Sequence, residues 1–132
     1  MLQVVVGALV RDGRVLLALR SRSKHAYPGA WDLPGGQVEA GESELVALVR
    51  ELQEELAVRI DTSTAEHLCR LTAAPTGEPV LFSAWLVRDW SGTPSNAAPE
   101  EHDDLRWFDA ATLPALPLDA VRGAVADRIT SR

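Results

Sequence analysis

The segment that decides the fold reads Gly36-Gln-Val-Glu-Ala-Gly-Glu42-Ser43-Glu-Leu-Val-Ala-Leu-Val-Arg50-Glu51-Leu-Gln-Glu54-Glu55-Leu-Ala57-Val58. Apolar residues recur in it at spacings of three and four, which predicts a helix with one buried face. This face comprises Leu45, Leu48, Val49, Leu52 and Leu56. At roughly 100° per residue, Glu51, Glu54 and Glu55 are expected together on the opposite face.

Three glutamates stacked on one helix face need a compensating charge. Like charges three or four residues apart destabilise an isolated helix by roughly 0.2–0.5 kcal/mol per pair. A hard divalent cation with oxygen ligands supplies that compensation, and Mg²⁺ is the usual ion when a substrate carries phosphates. The sequence therefore predicts a cation site on this helix.

The same segment resembles the signature of the Nudix hydrolases, in which glycine, glutamate and arginine occupy fixed positions. The positions that agree are Gly36, Glu42, Arg50, Glu51, Leu52, Glu54, Glu55 and Val58. Ala57 departs from the signature, which has glycine where the helix ends in a left-handed turn. Alanine is less tolerant of that conformation, so we expect either a rearranged helix exit or strain of about 1 kcal/mol.

The resemblance also implies roles for individual residues. Arg50, Glu51 and Glu54 are the implied catalytic residues, and the implied metal ligands are Gly36 through its carbonyl, Glu51, Glu54, Glu55 and Glu101. Glu51 either ligates the metal or accepts the proton of the attacking water, and Arg50 orients the glutamates through charge-assisted hydrogen bonds. Glu42 supports either the helix cap or the ligands. The implied cofactor is Mg²⁺, with Mn²⁺ as the alternative.

Two residues outside the signature have a functional and a plainer interpretation. Glu101 lies six residues before Trp107, where the nucleoside triphosphate branch of the family has a further glutamate, but the segment is also typical of an acidic surface loop. We predict His102 to be a loop residue without a metal role. Arg20 ends an apolar run where MutT-like members hold a phosphate-contacting arginine, although a solvated arginine fits equally well.

Three more residues are candidates for substrate binding. Trp31 precedes Leu-Pro-Gly-Gly and can line a base pocket, although core packing is the commoner role of such a ring. Gly35, together with Gly36, permits a tight bend that presents backbone groups to metal and phosphate. Asp119 lies near the place where related enzymes read a base edge, and helix capping explains it equally well.

Composition limits the class of protein. The 132 residues are 46% hydrophobic and 24% charged, which predicts one domain over residues 1–132. A net charge of −6 argues against a nucleic-acid polymer as partner, whereas a small nucleotide bound through a cation remains compatible. The single cysteine, Cys69, and the absence of a basic leader or a long apolar run favour a cytoplasmic protein without a membrane span. The oligomeric state stays open, and a homodimer is compatible.

The remaining patterns predict strands, loops and a second helix. Leu2–Val10 and Val15–Leu19 flank an Asp-Gly turn and should pair antiparallel. Later strands are predicted over 66–72, 79–87 and 105–108, loops over 21–28 and 91–99, and a helix from Asp119 with Val121, Ala124, Val125 and Ile129 buried. These patterns indicate an α+β fold, and the resemblance implies a Nudix-type α/β/α sandwich with a mixed β-sheet.

The resemblance implies a Mg²⁺-dependent hydrolase that converts a nucleoside triphosphate into a monophosphate and pyrophosphate. It is strongest to the branch that removes modified nucleotides, such as 8-oxo-dGTP or (d)CTP analogues. An ADP-ribose or other nucleoside-diphosphate-linked pyrophosphatase is the alternative enzyme, because Pro75 lies near a proline position associated with that branch. A non-catalytic nucleotide-binding sensor is the alternative of another class, and the intact Glu51, Glu54 and Glu55 disfavour it.

Overall fold

The computed structural model describes residues 1–130, so Ser131 and Arg132, the end of the predicted domain, lie outside the described part. The strands are β1 (Leu2–Arg11), β2 (Arg14–Arg20), β3 (Trp31–Asp32), β4 (Gly35–Gln37), β5 (Arg59–Ile60), β6 (Glu66–Ala73), β7 (Val80–Val87), β8 (Trp90–Ser91) and β9 (His102–Phe108). The helices are α1 (Glu44–Leu56) and α2 (Asp119–Thr130), and a short 3₁₀ turn covers Thr62–Thr64.

The sheet is mixed, and β1 lies at its centre. β1 runs parallel to β7 and antiparallel to β2 and β4. β6 extends the sheet beyond β7, while β3 and β9 pair with β2. β5 and β8 form a separate two-stranded ribbon.

The two faces of the sheet are each covered by one helix. Side chains alternate along a strand, so Val5 and Leu9 of β1 pack in the cluster that contains the buried face of α1. Ala8 and Val10 point to the other face, into the cluster that contains Val121, Val125 and Ile129 of α2. This arrangement confirms the predicted α/β/α sandwich with a mixed sheet.

The predicted hairpin and the predicted second pair of strands are both present. Asp12 and Gly13 have φ values of 55° and 73°, the left-handed geometry that joins antiparallel strands in two residues. β6 and β7 also pair antiparallel, as the sequence predicts. The structure differs from the sequence prediction at short or polar strands. The short strands β3, β4, β5 and β8 have no alternation of apolar residues that would predict them. β9 begins at His102, earlier than predicted, because pairing with β2 outweighs its polar composition.

Helix α1 begins and ends at the residues that the sequence indicates. The Ser43 side chain accepts a hydrogen bond from the backbone N–H of Val46, so Ser43 is the predicted N-cap. Ala57 adopts φ 57° and ψ 36°, and its N–H donates to the Gln53 carbonyl. The helix exit therefore keeps the left-handed turn of the signature, and alanine bears the strain. No helix within residues 1–130 has the length and apolar character needed to cross a membrane.

Replacing Ala57 with glycine should stabilise the protein, because glycine adopts the left-handed conformation without a Cβ penalty. The gain should be about 0.5–1 kcal/mol after the larger unfolded-state entropy of glycine is subtracted. Urea denaturation of the two proteins measures the difference. A lower midpoint for Ala57→Gly would show that the Ala57 turn is not strained.

Candidate active site

The centre of the site is a close approach between β4 and α1. Gly36 of β4 pairs with Val5 of β1 and lies directly against the side chain of Glu51. A Cβ at Gly36 would lie 2.5 Å from Oε2 and 2.6 Å from Oε1 of Glu51. A Cβ at Gly35 would lie 2.6 Å from the Cα of Val6. The paired glycines therefore let the backbone approach both the sheet and the glutamate, which is the tight bend that the sequence predicts.

Arg50 connects the loop before α1 to the acidic face. Its Nε and Nη2 donate to the two carboxylate oxygens of Glu42 at 2.9 and 2.8 Å. Nη1 donates to Glu51 Oε1 at 2.8 Å, and Nη2 also reaches the Gln37 carbonyl at 3.0 Å. The guanidinium lowers the pKa of Glu42 to about 2, so this anchor stays charged. Glu42 thus acts through Arg50, and Arg50 orients Glu51.

The three signature glutamates occupy different environments. The exposed fraction of the side chain is 59% for Glu54, 14% for Glu51 and 3% for Glu55. The expectation that they share one face is therefore too simple, because Glu55 is covered. The backbone carbonyl of Glu55 accepts from the N–H of Ala97, and Leu56 accepts from Ser95, so the segment before β9 crosses the end of α1.

His102 lies beside Glu55, and the prediction of a loop residue is wrong for it. It is the first residue of β9, its side chain is 5% exposed, and its Nε2 is 3.0 Å from Glu55 Oε1. Burial raises the pKa of the Glu55 carboxyl, and the hydrogen bond from His102 opposes that rise. The sequence misses this contact because the polar residues after His102 conceal the strand.

A cavity of about 480 Å³ opens at these residues. Its acidic lining residues are Asp32, Glu51, Glu55 and Glu101, and its basic or histidine residues are Arg20, Lys24, His25 and His102. Apolar side chains complete the wall: Leu2, Val4, Val6, Leu33, Val80 and Phe82. Gly35, Gly36, Tyr27, Pro75 and Thr76 also line it. Acidic groups, basic groups and an apolar wall suit a ligand with a metal-bound polyphosphate and a base.

Basic residues reach the cavity from the end of β2 and the loop after it. Arg20 ends β2, and its Nε donates to the Ala26 carbonyl at 2.9 Å. Lys24 Nζ bonds Glu101 Oε1 at 3.0 Å, which ties this loop to the start of β9. Arg20 and Glu101 therefore line the same cavity as Glu51 and Glu55.

Some predicted site residues lie elsewhere. Trp31 makes an edge contact with Phe108 at 5.1 Å between ring centroids and packs against the core. Asp119 is exposed in the first turn of α2, within the helix rather than before it as a cap. Neither lines the cavity, and Glu54 also lies outside its lining. Sequence reasoning missed Lys24, Tyr27 and Asp32, whose positions follow from the fold of the loop and not from a pattern.

The residues fit a hard cation. Carboxylate oxygens are the ligands that Mg²⁺ and Mn²⁺ prefer, and Glu55 Oε2 is buried without a hydrogen-bond partner beside Glu51 and Gly36. Within residues 1–130 no three acidic, histidine or cysteine side chains already converge as a metal site. Arg50 is hydrogen-bonded to Glu51, and Glu54 faces solvent.

Asp32 offers a test of the electrostatics of the cavity. Burial raises its pKa to about 6, although its carboxylate accepts from the Leu33 N–H at 2.8 Å. The folded state therefore loses stability as the pH rises from about 4, the pKa of an unperturbed Asp, to about 6, and the loss is complete above that pH. Asp32→Asn keeps an acceptor without the charge, so it should gain stability over the wild type by on the order of 2 kcal/mol at pH 7.5 and almost nothing below pH 4. Denaturation at both pH values measures this, and a pH-independent difference would contradict it.

Comparison with known proteins agrees with this geometry. A family model described as the NUDIX domain matches residues 1–129. The chain therefore belongs to the Nudix hydrolase family, whose members generally use a divalent metal.

Individual relatives are similar over almost the whole chain. The CTP pyrophosphohydrolase of Escherichia coli K12 is 37% identical over 122 residues, 90% of this chain and 86% of the relative. A putative 8-oxo-dGTP diphosphatase 2 of Mycobacterium tuberculosis H37Rv is 38% identical over 125 residues, 94% of this chain and 85% of the relative. The crystal structure of a MutT NUDIX hydrolase from Burkholderia pseudomallei superposes with a TM-score of 0.82 at 35% identity, covering 94% of this chain and 95% of that one.

Proposed function

We propose that this protein is a Mg²⁺-dependent hydrolase, with Mn²⁺ as an alternative ion, that cleaves nucleoside triphosphates to a monophosphate and pyrophosphate. The substrates are modified nucleotides of the 8-oxo-dGTP or (d)CTP-like kind. The names of the similar proteins from E. coli and M. tuberculosis support this substrate class. Removal of such nucleotides from the nucleotide pool is the corresponding role.

The observation that carries the proposal is the mixed charge of the cavity. Glu51 and Glu55 line it together with Arg20 and Lys24. A triphosphate with its cation needs both sets, since carboxylates bind the metal and a guanidinium pairs with phosphate oxygens. The apolar side chains of Val6 and Phe82 line the same cavity and offer a surface to a base.

Gly36, Glu51, Glu54 and Glu55 would hold the cation, with Glu101 as a further candidate. When bound, the cation neutralises phosphate charge and acidifies water. Arg50 holds the Glu51 carboxylate through Nη1 at 2.8 Å, which positions a group that can accept the proton of the attacking water. Arg20 and Lys24 bind and orient the phosphates.

An ADP-ribose or other nucleoside-diphosphate-linked substrate is the second candidate. Pro75 and Thr76, in the turn between β6 and β7, line the cavity and support it. The two substrates differ in charge and in products, so one assay separates them. A non-catalytic sensor would bind the same ligands without turnover.

The deciding experiment is a panel of nucleoside triphosphates, 8-oxo-dGTP and ADP-ribose, assayed with Mg²⁺ and with identified products. Monophosphate plus pyrophosphate supports the proposal, AMP plus ribose 5-phosphate favours the second candidate, and binding without turnover indicates a sensor. Arg20→Ala should raise KM or lower turnover for triphosphates, with Arg20→Lys restoring it in part. Arg22→Ala is the matched control, since Arg22 is exposed and outside the cavity lining.

A separate prediction concerns Glu101. If it binds the metal or positions water, Glu101→Gln should lower turnover at least about tenfold, a cost of roughly 1.4 kcal/mol. Glu100→Gln removes a neighbouring exposed carboxylate and should leave turnover unchanged. Steady-state kinetics on both variants measures the contrast, and two equally small effects would make Glu101 only the partner of Lys24.

A further inference from the structure

The buried pair of Glu55 and His102 is held rigidly by its surroundings. The backbone of His102 is fixed on both sides, because its N–H donates to the Ala98 carbonyl at 3.1 Å and its carbonyl accepts from Asn96 Nδ2 at 2.7 Å. Glu55 lies in the last turn of α1, where Ala97 bonds its carbonyl at 2.9 Å. The His102 ring and the Glu55 carboxylate therefore contact each other with little conformational freedom.

The pair is incomplete in a way that stability alone does not explain. Glu55 Oε1 accepts from His102, but Glu55 Oε2 is buried and has no partner among residues 1–130. His102 Nδ1 is likewise buried without a partner among these residues, and leaving buried polar atoms unsatisfied destabilises the fold. Glu55 and His102 both line the cavity, so the unpartnered oxygen belongs to a residue of the site. A group bound in the cavity can satisfy it.

We propose that His102 is a positioning residue: its Nε2–H holds Oε1 of Glu55 and leaves Oε2 free for the divalent cation. This inference rests on the proposed function. In this proposal His102 acts through Glu55. Holding the carboxylate in place before the cation binds removes the entropic cost of ordering a long side chain. Mutation of a residue that hydrogen-bonds a metal ligand typically lowers metal affinity by about 10–100-fold.

Two amide variants isolate the hydrogen bond. The side-chain nitrogen of glutamine reaches the position of Nε2, whereas that of asparagine reaches only the position of Nδ1. His102→Gln should therefore keep Mn²⁺ affinity within about threefold of the wild type, and His102→Asn should lose about 10–100-fold. His102→Phe keeps an aromatic ring but has no hydrogen-bond donor, so it should lose as much Mn²⁺ affinity as His102→Asn. It replaces His102→Asn in the test if that variant does not fold. Mn²⁺ binding by electron paramagnetic resonance measures affinity without substrate.

The background variant Glu55→Gln completes the test. If His102 acts only through Glu55, His102→Asn should cause no further loss of Mn²⁺ affinity in that background. Equal losses for His102→Gln and His102→Asn, or a full further loss in the Glu55→Gln background, would overturn the inference and favour a direct or purely structural role. Absence of Mn²⁺ binding by the wild type would contradict the proposed function itself. Normal binding by the wild type and by folded His102→Asn would overturn only the role of His102.

Discussion

Glu55→Gln is expected to reduce turnover at least about a hundredfold, equal to roughly 2.7 kcal/mol of transition-state stabilisation. Glutamine has nearly the shape of glutamate but only one acceptor oxygen and no charge, so it is a poor ligand for a hard cation. Metal-free Glu55→Gln should be at least as stable as the wild type, because burial already raises the pKa of the carboxyl and disfavours its charge. Steady-state kinetics with Mg²⁺ and denaturation in chelator measure the two effects.

Glu78→Gln is the matched control, since Glu78 is exposed and is not among the residues that line the cavity. It should change neither turnover nor stability measurably. The wild type should also lose its activity in excess chelator. Full hydrolysis by the chelated enzyme, or an unaltered rate in Glu55→Gln, would refute the assignment of Glu55 as a metal ligand.

Gly36→Ala should have the second largest effect. The added Cβ would lie 2.5 Å from an oxygen of Glu51, so the glutamate has to move and its hydrogen bond with Arg50 is disturbed. Turnover should fall at least about tenfold, whereas stability should change little, because the atoms that the Cβ meets are the end of a flexible side chain. Kinetics and urea denaturation on the same protein report both.

Gly123→Ala is the same chemical change at an open position. Gly123 lies within α2, and a Cβ there would meet no atom within 4 Å. Alanine is the better helix former, so this variant should gain about 0.5–1 kcal/mol with unchanged turnover. If both variants instead behaved alike, the close approach at Gly36 would not be the cause of its effect.

Local patterns predicted the parts of this fold that local physics determines. The α1 stripe, the Ser43 cap and the Asp12-Gly13 hairpin each depend on residues that are neighbours in sequence, and the structure confirms them. The spacing also identified Glu51, Glu54 and Glu55 as candidate ligands of a cation. It could not reveal that Glu55 is buried, because the covering segment at Ala97 comes from a distant part of the chain.

The parts that the sequence missed depend on tertiary contacts. His102 gains its role from β9 pairing with β2, which brings it to the end of α1. Lys24 and Asp32 reach the cavity only through the course of the loop after β2. For Trp31 the sequence left a base pocket and core packing open, and the edge contact of its ring with Phe108 favours packing.

The parallel pairing of β1 with β7 has a consequence for how the chain folds during its synthesis. Leu2 pairs with Val80 and Leu9 with Val87, so β1 is synthesised well before the parallel strand that it pairs with. Until then β2 and β4 are the strands that can pair with β1, and the non-local parallel pairing with β7 closes slowly. The run Val4-Val5-Val6 is thus a transient liability for aggregation during synthesis, since apolar β-branched residues pair readily with other nascent chains.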